Sequence, residues 1–330
     1  MAKEALKTHD LVFYGRPAYV SHKKLSYNGL DVAFPPYGQY SRKMRKICDL
    51  HLFSLGQVQS FSPIIQDEIS HLIQKISNLS CASKAMMGGF FISDHLPSLS
   101  WIDKLSGMFA RLENNFKDLD LFYQELIDEH LNPNRPETMK DEVLDILIQI
   151  KQEQSSGFAL SWDHIKALLM NIFIAGTETS AATVVWAMTA LMKNPSALKK
   201  VQADIRDLVG QKGAVVEEKL QQLHYLDAER PDEFIPERFL SNTIDVRGND
   251  FEVIPSGAGR RGCPGISLGR SIVKLALANL LYSFEWESPS GIRTEDVHTN
   301  VLPGTTRKMR FEFWPSNISI KALNTAESEH

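Results

Sequence analysis

A long, mostly apolar stretch with a polar centre, residues 167–192 (ALLMNIFIAGTETSAATVVWAMTALM), limits what this chain can fold into. Its length is enough to cross a bilayer. However, Asn171, Glu178 and Thr179 lie near its middle, and an ionisable group there is costly in lipid. We therefore expect a helix buried inside a large soluble protein. Its polar cluster needs hydrogen-bond partners, because unpaired buried polar groups are unfavourable.

Composition and charge exclude other classes of protein. The chain has 330 residues, of which 43% are apolar, enough for a sizeable core. Thirty-six basic and forty acidic residues give a net charge of −4, so we expect no nucleic-acid partner, which would need a strongly basic face. The three cysteines are far apart, which favours a reducing compartment over a disulfide framework.

Helical patterns dominate the rest of the chain. Apolar spacing predicts helices at residues 36–55, 62–78, 112–130, 138–152 and 266–283. Ser161 is predicted to cap the apolar helix, and Asn194 with Pro195 to open a helix that Gly210 ends. Strand-like pieces are few, at residues 215–216, 251–254 and 310–314. The fold class is therefore mainly α with minor β.

The segment at residues 251–269, FEVIPSGAGRRGCPGISLG, matches three motifs. Residues 257–262 satisfy G-x-G-x-x-G, typical of dinucleotide sites, but no convincing βαβ spacing follows. Residues 265–269 satisfy the hydrolase pattern G-x-S-x-G, but Ser267 falls inside a predicted helix and not on a sharp turn. In the third interpretation, Cys263 is a metal ligand.

Several features around Cys263 suit a haem iron. Glycines let backbone amides approach the sulfur, and the start of the following helix favours a thiolate. Arg260 and Arg261 offer donors to carboxylates such as haem propionates. Zinc is disfavoured, since no second Cys or His lies nearby in the sequence. A buried, inert cysteine is the alternative, but it leaves the arginines and glycines unexplained.

This segment resembles the haem-binding signature of the cytochrome P450 family, F-x-x-G-x-R-x-C-x-G. The matching residues are Gly259, Arg261, Cys263 and Gly265, while Ser256 replaces the phenylalanine. The resemblance covers nearly the whole chain and is closest to plant microsomal members of the A-type (71) clan. It implies a cytochrome P450 fold in one domain, residues 1–330, with haem b ligated through Cys263 as a thiolate.

Residues 175–180, AGTETS, also resemble the oxygen-activation motif of that family, [AG]-G-x-[DE]-T-[TS]. Gly176, with Ala175, would shape a pocket in which a small ligand approaches the helix backbone. The Thr179 hydroxyl can interrupt the helical hydrogen-bond ladder and hold water, and Glu178 beside it makes a plausible proton relay. The alternative is a polar patch at a helix interface.

Two further segments resemble the family. Residues 40–46 resemble its W-x-x-x-R helix, with Ser41 in place of the tryptophan. The resemblance implies that Arg45, like Arg261, holds a haem propionate, with Gly259 and Gly265 completing the cofactor loop. Residues 236–239, PERF, resemble a structural element in which Arg238 would lock the region ahead of the cysteine.

The resemblance implies an enzyme that oxidises a small lipophilic substrate of plant secondary metabolism with O2. Electrons would come from NADPH through the cytochrome P450 reductase. A basic face of Arg42, Lys43 and Lys46 could dock that reductase, although a solvated helix face explains those residues equally well. Intact relatives lie on the cytosolic face of the endoplasmic reticulum membrane. Because we find no anchor sequence, a cytoplasmic location is the alternative.

Parts of the family sequence are missing between residues 226 and 236. No E-x-x-R helix, which would provide the partners of Arg238, follows Tyr225. Thr179 and Cys263 are only 84 positions apart, closer than in the family. An unpaired buried arginine would be costly. The main alternative is therefore a degenerate, non-catalytic relative, either a haem binder or an unstable fragment. A dinucleotide-binding enzyme is a distant third.

Overall fold

The computed structural model describes residues 1–61, 89–135, 142–153, 158–210, 251, 254 and 256–286, with three two-residue strands beyond them. The α-helices in these ranges are α1 Val20–Leu25, α2 Gln39–Ile47, α3 Leu55–Ser60, α4 Ile92–His95, α5 Ser100–Leu105, α6 Met108–His130, α7 Val143–Glu153, α8 Trp162–Asn171, α9 Thr177–Lys193, α10 Pro195–Val209 and α11 Ile266–Ser283. Turns of π-helix span Glu4–Thr8, Cys48–Leu52 and Ile172–Gly176. The predicted mainly α class is confirmed.

The strands are short and antiparallel. Strand β1, Phe284–Glu285, pairs with β4, Lys321–Ala322, and β2, Val301–Leu302, pairs with β3, Lys308–Met309. The predicted helix at residues 62–78, the strands at 215–216 and 310–314, and the PERF element at 236–239 lie outside the described residues. So do residues 252 and 253 of the remaining strand-like piece, 251–254.

Helix ends follow the predicted local chemistry. The Ser161 hydroxyl accepts the His164 N–H at 3.3 Å, and Asn194 Oδ1 accepts the Ala197 N–H at 3.3 Å. Gly210 ends α10 with a φ of +75°, and α11 has the predicted bounds. Helix α6 begins four residues before the predicted start, because Gly107 turns the chain with a φ of +75° ahead of Met108.

The chain divides into two compact units. The first comprises Met1–Thr177 and Asp245–Leu268, and the second comprises Glu178–Ile244 and Gly269–His330. The first unit holds the larger apolar core, to which α1, α2, α6, α7 and α8 contribute. Its fully buried side chains include Leu25, Met44, Leu52, Ile127, Leu147, Ile165 and Met170.

A polar link crosses the core of the first unit. Asp120 on α6 accepts hydrogen bonds from the Tyr27 hydroxyl and from Lys166 Nζ on α8, both at 2.8 Å. The Lys166 side chain is almost fully buried, so Asp120 supplies the charge partner that a buried ammonium group requires. One carboxylate therefore joins α6 and α8 to the residues after α1.

In the second unit, α10 packs on α11. The Gln202 amide, which is buried, donates to the Leu281 carbonyl at 3.2 Å, and the Tyr282 hydroxyl donates to the Gly210 carbonyl at 2.9 Å. Apolar side chains from both helices are buried, among them Val201, Ile205, Leu277 and Leu281. A Cβ at Gly269 would stand 4.0 Å from Ser180 Oγ, so α11 also lies near α9.

The apolar stretch forms one helix, Trp162–Lys193, that includes the π-helical turn Ile172–Gly176. By length and composition alone it could cross a membrane, a test that the core helix of a soluble protein also passes. Of the 18-residue segment used for that test, 33% is buried. Burial is complete along Ile165 to Met170, whereas Ala175 and Gly176 are exposed. The helix is therefore buried in its first part, as expected, and exposed at Ala175 and Gly176.

Leu147 provides a test of the core of the first unit. It is fully buried on α7, so Leu147→Ala removes apolar contacts and leaves a cavity. We expect the free energy of unfolding to fall by about 2–5 kcal/mol. Leu121→Ala on α6, where the side chain is 62% exposed, is the control and should cost roughly 0.5 kcal/mol or less. Urea unfolding followed by circular dichroism measures both, and equal losses would contradict the described core.

Candidate functional site

Cys263 lies in a tight loop that places its side chain at the surface. The Cys263 N–H donates to the Ser256 carbonyl at 2.8 Å, and the Gly262 N–H donates to the Gly259 carbonyl at 3.0 Å. Gly257 and Gly259 adopt φ values of +73° and +65°, a region that favours glycine. The thiol is free and exposed, three residues before α11 begins.

The N-terminal residues pack closely against this loop. A Cβ at Gly259 would overlap the carbonyl oxygen of Leu6, so only glycine fits. Beside it, Arg260 Nη1 forms an ion pair with Asp10 Oδ1 at 2.6 Å. The need for glycine at position 259 thus has a packing cause in this chain, besides the cofactor role predicted from the sequence.

The Arg261 side chain points away from the loop, towards residues in the N-terminal part of the first unit. Its guanidinium donates four hydrogen bonds, two to the Tyr14 carbonyl at 3.0 and 2.8 Å, one to the Ala33 carbonyl at 2.7 Å and one to the Pro35 carbonyl at 3.0 Å. It also stacks on the Tyr14 ring, 3.6 Å from the centroid. Burial lowers the pKa of Arg261.

Arg45 on α2 approaches the same loop from another side. Its Nη1 donates to the Arg260 carbonyl at 3.1 Å, and its Nη2 donates to the Gly262 carbonyl. Its Nε is 3.6 Å from Asp49 Oδ2. The two arginines predicted to hold propionates are therefore both near Cys263, and both bind backbone carbonyls.

Opposing effects set the acidity of Cys263. Desolvation by the surrounding protein is the largest effect and raises the pKa of the thiol above its ordinary value, while the backbone N–H of Gly265 and the Arg45 guanidinium offset part of that rise. A backbone donor directed at sulfur is the arrangement that a thiolate ligand needs. In contrast, burial raises the pKa of Cys48 to about 12. Cys48 is therefore an inert core residue.

A cleft of about 460 Å³ lies beside the cysteine loop. Its lining includes the cations Arg42, Arg45, Lys46 and Arg260 and the rings of Tyr14 and Tyr37. Ser41, found where the family has tryptophan, also borders the cleft. The Ser41 hydroxyl donates to the Gly38 carbonyl at 3.1 Å and accepts the Gly38 N–H at 3.0 Å. It therefore caps α2, and the smaller side chain leaves more room for the cleft.

Sequence reasoning missed two residues near Arg261. Arg16 is exposed and near enough to lower the pKa of Arg261. Asp31 is fully buried, receives the Asn171 amide at 3.0 Å and the Phe34 N–H at 3.1 Å, and has a pKa raised by burial. Both lie in stretches without helical or strand periodicity, so no local pattern distinguishes them.

Of the four predicted oxygen-activation residues, one is buried and three are exposed. Glu178 is buried, whereas Ala175, Gly176 and Thr179 are exposed. Successive residues on a helix point about 100° apart, which separates Glu178 from Thr179. The π-helical turn ends at Gly176, and the Thr183 hydroxyl donates to the Thr179 carbonyl at 2.8 Å. The expected acid–alcohol pair thus has one member exposed, and the helix is irregular just ahead of it.

The donors near Cys263 fit a haem iron better than they fit both haem propionates. A free, exposed thiol suits a thiolate ligand. Within the described ranges, no group of three or more His, Cys, Asp or Glu side chains could hold a metal ion, as a zinc site would require. Arg45 keeps unused N–H groups at the cleft, but Arg261 has one left of its five.

Comparison with known proteins identifies the class. The family model described as Cytochrome P450 matches residues 82–228 and 229–310. "5-OH-xanthotoxin synthase" from Pastinaca sativa is 38% identical over an alignment 407 positions long, which covers 93% of this chain and 80% of that relative. "Cytochrome P450 71A1" from Persea americana is 34% identical, with 94% of this chain and 82% of that relative covered.

Solved structures agree on the fold. A zebra fish cytochrome P450 solved with progesterone has a TM-score of 0.68 at 20% identity. The superposition covers 97% of this chain and 91% of the zebra fish chain. The chain therefore belongs to the cytochrome P450 family. Within that family it is a plant 71-clan, haem-thiolate monooxygenase that acts on small lipophilic substrates.

Thiol alkylation of the haem-free chain tests the local electrostatics. We expect iodoacetamide to label Cys263 and to spare Cys48 while the chain is folded, with a rate at Cys263 that rises with pH as the thiolate forms. Arg45→Gln removes a cation that lowers the pKa of Cys263, so labelling at a fixed pH should slow. Arg42→Gln is the control. Peptide mass spectrometry gives each rate, and a faster reaction in Arg45→Gln would contradict the geometry.

Proposed function

We propose that Cys263 would ligate a haem b iron and that this chain inserts one oxygen atom from O2 into a lipophilic substrate. The observation that carries the proposal is the free, exposed Cys263 thiol, which lies just before α11 in a loop whose carbonyls bind the Arg45 guanidinium. When bound, a thiolate-ligated haem activates O2. The chain's own residues hold the thiolate, neutralise negative charge and move protons.

Holding the thiolate is the task of the cysteine loop. The backbone N–H of Gly265 and the start of α11 oppose the rise in the Cys263 pKa that desolvation causes. Arg45 adds a positive charge and keeps donors for one carboxylate of the cofactor. Arg261, with one donor left, serves mainly to hold the loop in place.

Proton delivery is assigned to the polar centre of the long helix. Ala175 and Gly176, both exposed, leave the backbone accessible to a small ligand. Thr179 presents its hydroxyl at the surface of the helix, where it can hold water, and Glu178 is the nearest carboxyl group along the chain. This role rests on the motif and on the exposure of Thr179.

The electron donor we propose is the NADPH-dependent cytochrome P450 reductase, docked at a basic surface. Arg42 and Lys46 are exposed and lie one helical turn apart on α2, bordering the cleft together with Arg260. Lys43 points elsewhere, towards the Phe158 ring at 5.8 Å. The described geometry therefore favours Arg42, Lys46 and Arg260 for an acidic partner, with Lys43 outside this set. We place the reaction at the cytosolic face of the endoplasmic reticulum, as in the family.

The names of two relatives support a proposal for the substrate class. Two of them are named "5-OH-xanthotoxin synthase" and "6,7,8-trihydroxycoumarin synthase", each 38% identical to this chain. Both printed names describe hydroxylated aromatic products. We propose a small, planar aromatic substrate for this chain and aromatic hydroxylation as its reaction.

An internal deletion is the second part of the proposal. The family match falls into two pieces that meet between residues 228 and 229, where the E-x-x-R helix is missing from the sequence. The alignment with the Pastinaca sativa relative spans 407 residues, more than the 330 of this chain. Both findings support a single, shortened domain. A non-catalytic haem binder is the competing function, and the missing helix is the observation that favours it.

The reduced, carbon-monoxide difference spectrum tests ligation by Cys263. We expect the full chain, expressed with haem supply, to give the strongly red-shifted Soret band of a thiolate ligand, and Cys263→Ser to lose that band. Cys48→Ser is the control and should keep it. Haem bound without the shifted band would assign the chain to the non-catalytic alternative. A shifted band in Cys263→Ser would refute the ligand assignment.

A second variant tests proton delivery by Thr179. With reductase, NADPH and a small coumarin as probe, Thr179→Val should form product more slowly, by a factor on the order of 10² for the loss of one proton-transfer group. NADPH consumption should continue, and the carbon-monoxide spectrum should not change. Thr189→Val, on the same helix and bonded to the Val185 carbonyl, is the control. Equal product yields per NADPH in both variants would remove Thr179 from the mechanism.

A further inference from the structure

The Arg261 guanidinium is occupied by the chain itself. Two of its hydrogen bonds reach the Tyr14 carbonyl, and one each reaches the carbonyls of Ala33 and Pro35. A guanidinium has five N–H groups, so four are used and one remains. A bidentate contact with a carboxylate needs two parallel N–H groups, and Arg261 cannot provide them without breaking a bond that it already makes.

The bonds of Arg261 join two parts of the chain that also meet where the Tyr14 ring packs edge-on against Tyr37. Tyr14 ends the N-terminal segment, while Ala33 and Pro35 belong to the series of bends ahead of α2. Tyr14 is 6% exposed, and its ring packs against the guanidinium, which excludes water from the contact. Carbonyl groups in irregular segments need donors when buried, and Arg261 supplies them for three residues at once.

The stretch held by Arg261 is also joined to the long helix. Asn171 at the end of α8 donates to Asp31 and accepts the Val32 N–H at 3.2 Å, while the Phe34 N–H donates to Asp31 at 3.1 Å. The N–H groups of Val32 and Phe34 alternate with the carbonyls of Ala33 and Pro35 along this stretch. Loss of the Arg261 bonds should therefore loosen these two N–H groups.

We propose that Arg261 is a positioning residue that holds the segment from Tyr14 to Pro35 against the cysteine loop in the haem-free chain and does not bind a haem carboxylate. Arg45, which lines the cleft and keeps unused donors, is the arginine available to that carboxylate. The proposal concerns the chain before any cofactor binds, so it stands or falls independently of turnover and of the ligation by Cys263.

Hydrogen exchange on the full, haem-free chain is the first test. We expect the Val32 and Phe34 amides to be protected, and Arg261→Gln to raise their exchange rates by on the order of tenfold or more, the effect of losing a net hydrogen-bond contribution. Arg260→Gln is the matched control, since Arg260 is the neighbour of Arg261 and its half-exposed guanidinium pairs with Asp10. It should leave the two amides protected. Absent protection in the parent chain, or equal protection in Arg261→Gln, would overturn the proposal.

Arg261→Lys keeps the experiment decisive should Arg261→Gln fail to fold. Lysine retains the positive charge that attracts a carboxylate but lacks the planar fork that reaches three carbonyls. A positioning role predicts faster exchange at Val32 and Phe34 in Arg261→Lys, with the helical circular dichroism unchanged. A role confined to the carboxylate predicts no change in exchange without haem.

Titration with haem and with haem dimethyl ester, whose carboxylates are blocked, is the second test. We expect the ratio of the two dissociation constants to be the same in the parent chain and in Arg261→Lys, and to move towards one in Arg45→Gln. A ratio that approaches one in Arg261→Lys but not in Arg45→Gln would assign the carboxylate to Arg261 and refute the proposal. A parent chain that binds neither ligand would leave the exchange experiment to decide, and would by itself count against the haem function.

Discussion

Two guanidinium groups join the cysteine loop to the N-terminal part of the first unit, and the geometry of Cys263 depends on them. Arg45 binds the carbonyls of Arg260 and Gly262 from α2, and Arg261 binds the carbonyls of Tyr14, Ala33 and Pro35. The loop has a three-residue 3₁₀ turn and two glycines at positive φ, but no strand pairing of its own in the part of the chain that the structure describes. Arginine donors replace the hydrogen bonds that regular secondary structure would give.

This arrangement places positive charge close to an acid that is fully buried. Asp31 receives donors from Asn171 and Phe34, and its charge opposes the lowering of the Arg261 pKa by burial. Burial raises the pKa of the Asp31 carboxyl. The contribution of Asp31 to stability is therefore fully present below its unfolded-state pKa and is lost as the pH rises through its folded-state pKa. The hydrogen bonds that Asp31 accepts offset part of the free-energy cost of burying its carboxylate.

Local chemistry in the sequence was sufficient for the helix ends and for the cysteine motif. Ser161, Asn194 and Gly210 act where the pattern predicts, because capping depends on residues only three or four positions apart. The partners of Arg261 could not be predicted, since backbone carbonyls carry no residue-specific signal. The exposure of Thr179 next to the buried Glu178 was also missed, because a motif specifies residue types and not which face of a helix is covered.

The contact between Arg261 and Tyr14 spans 247 positions of the chain. During synthesis at roughly 5–20 residues per second, Tyr14 leaves the ribosome about 10 to 50 seconds before Arg261 is made. Throughout that interval the residues around Tyr14 lack their final partner, and Leu11, Val12 and Phe13, which remain exposed even in the folded chain, lie next to it. The N-terminal part of this protein therefore reaches its final packing only after an arginine near the other end of its first unit has been made.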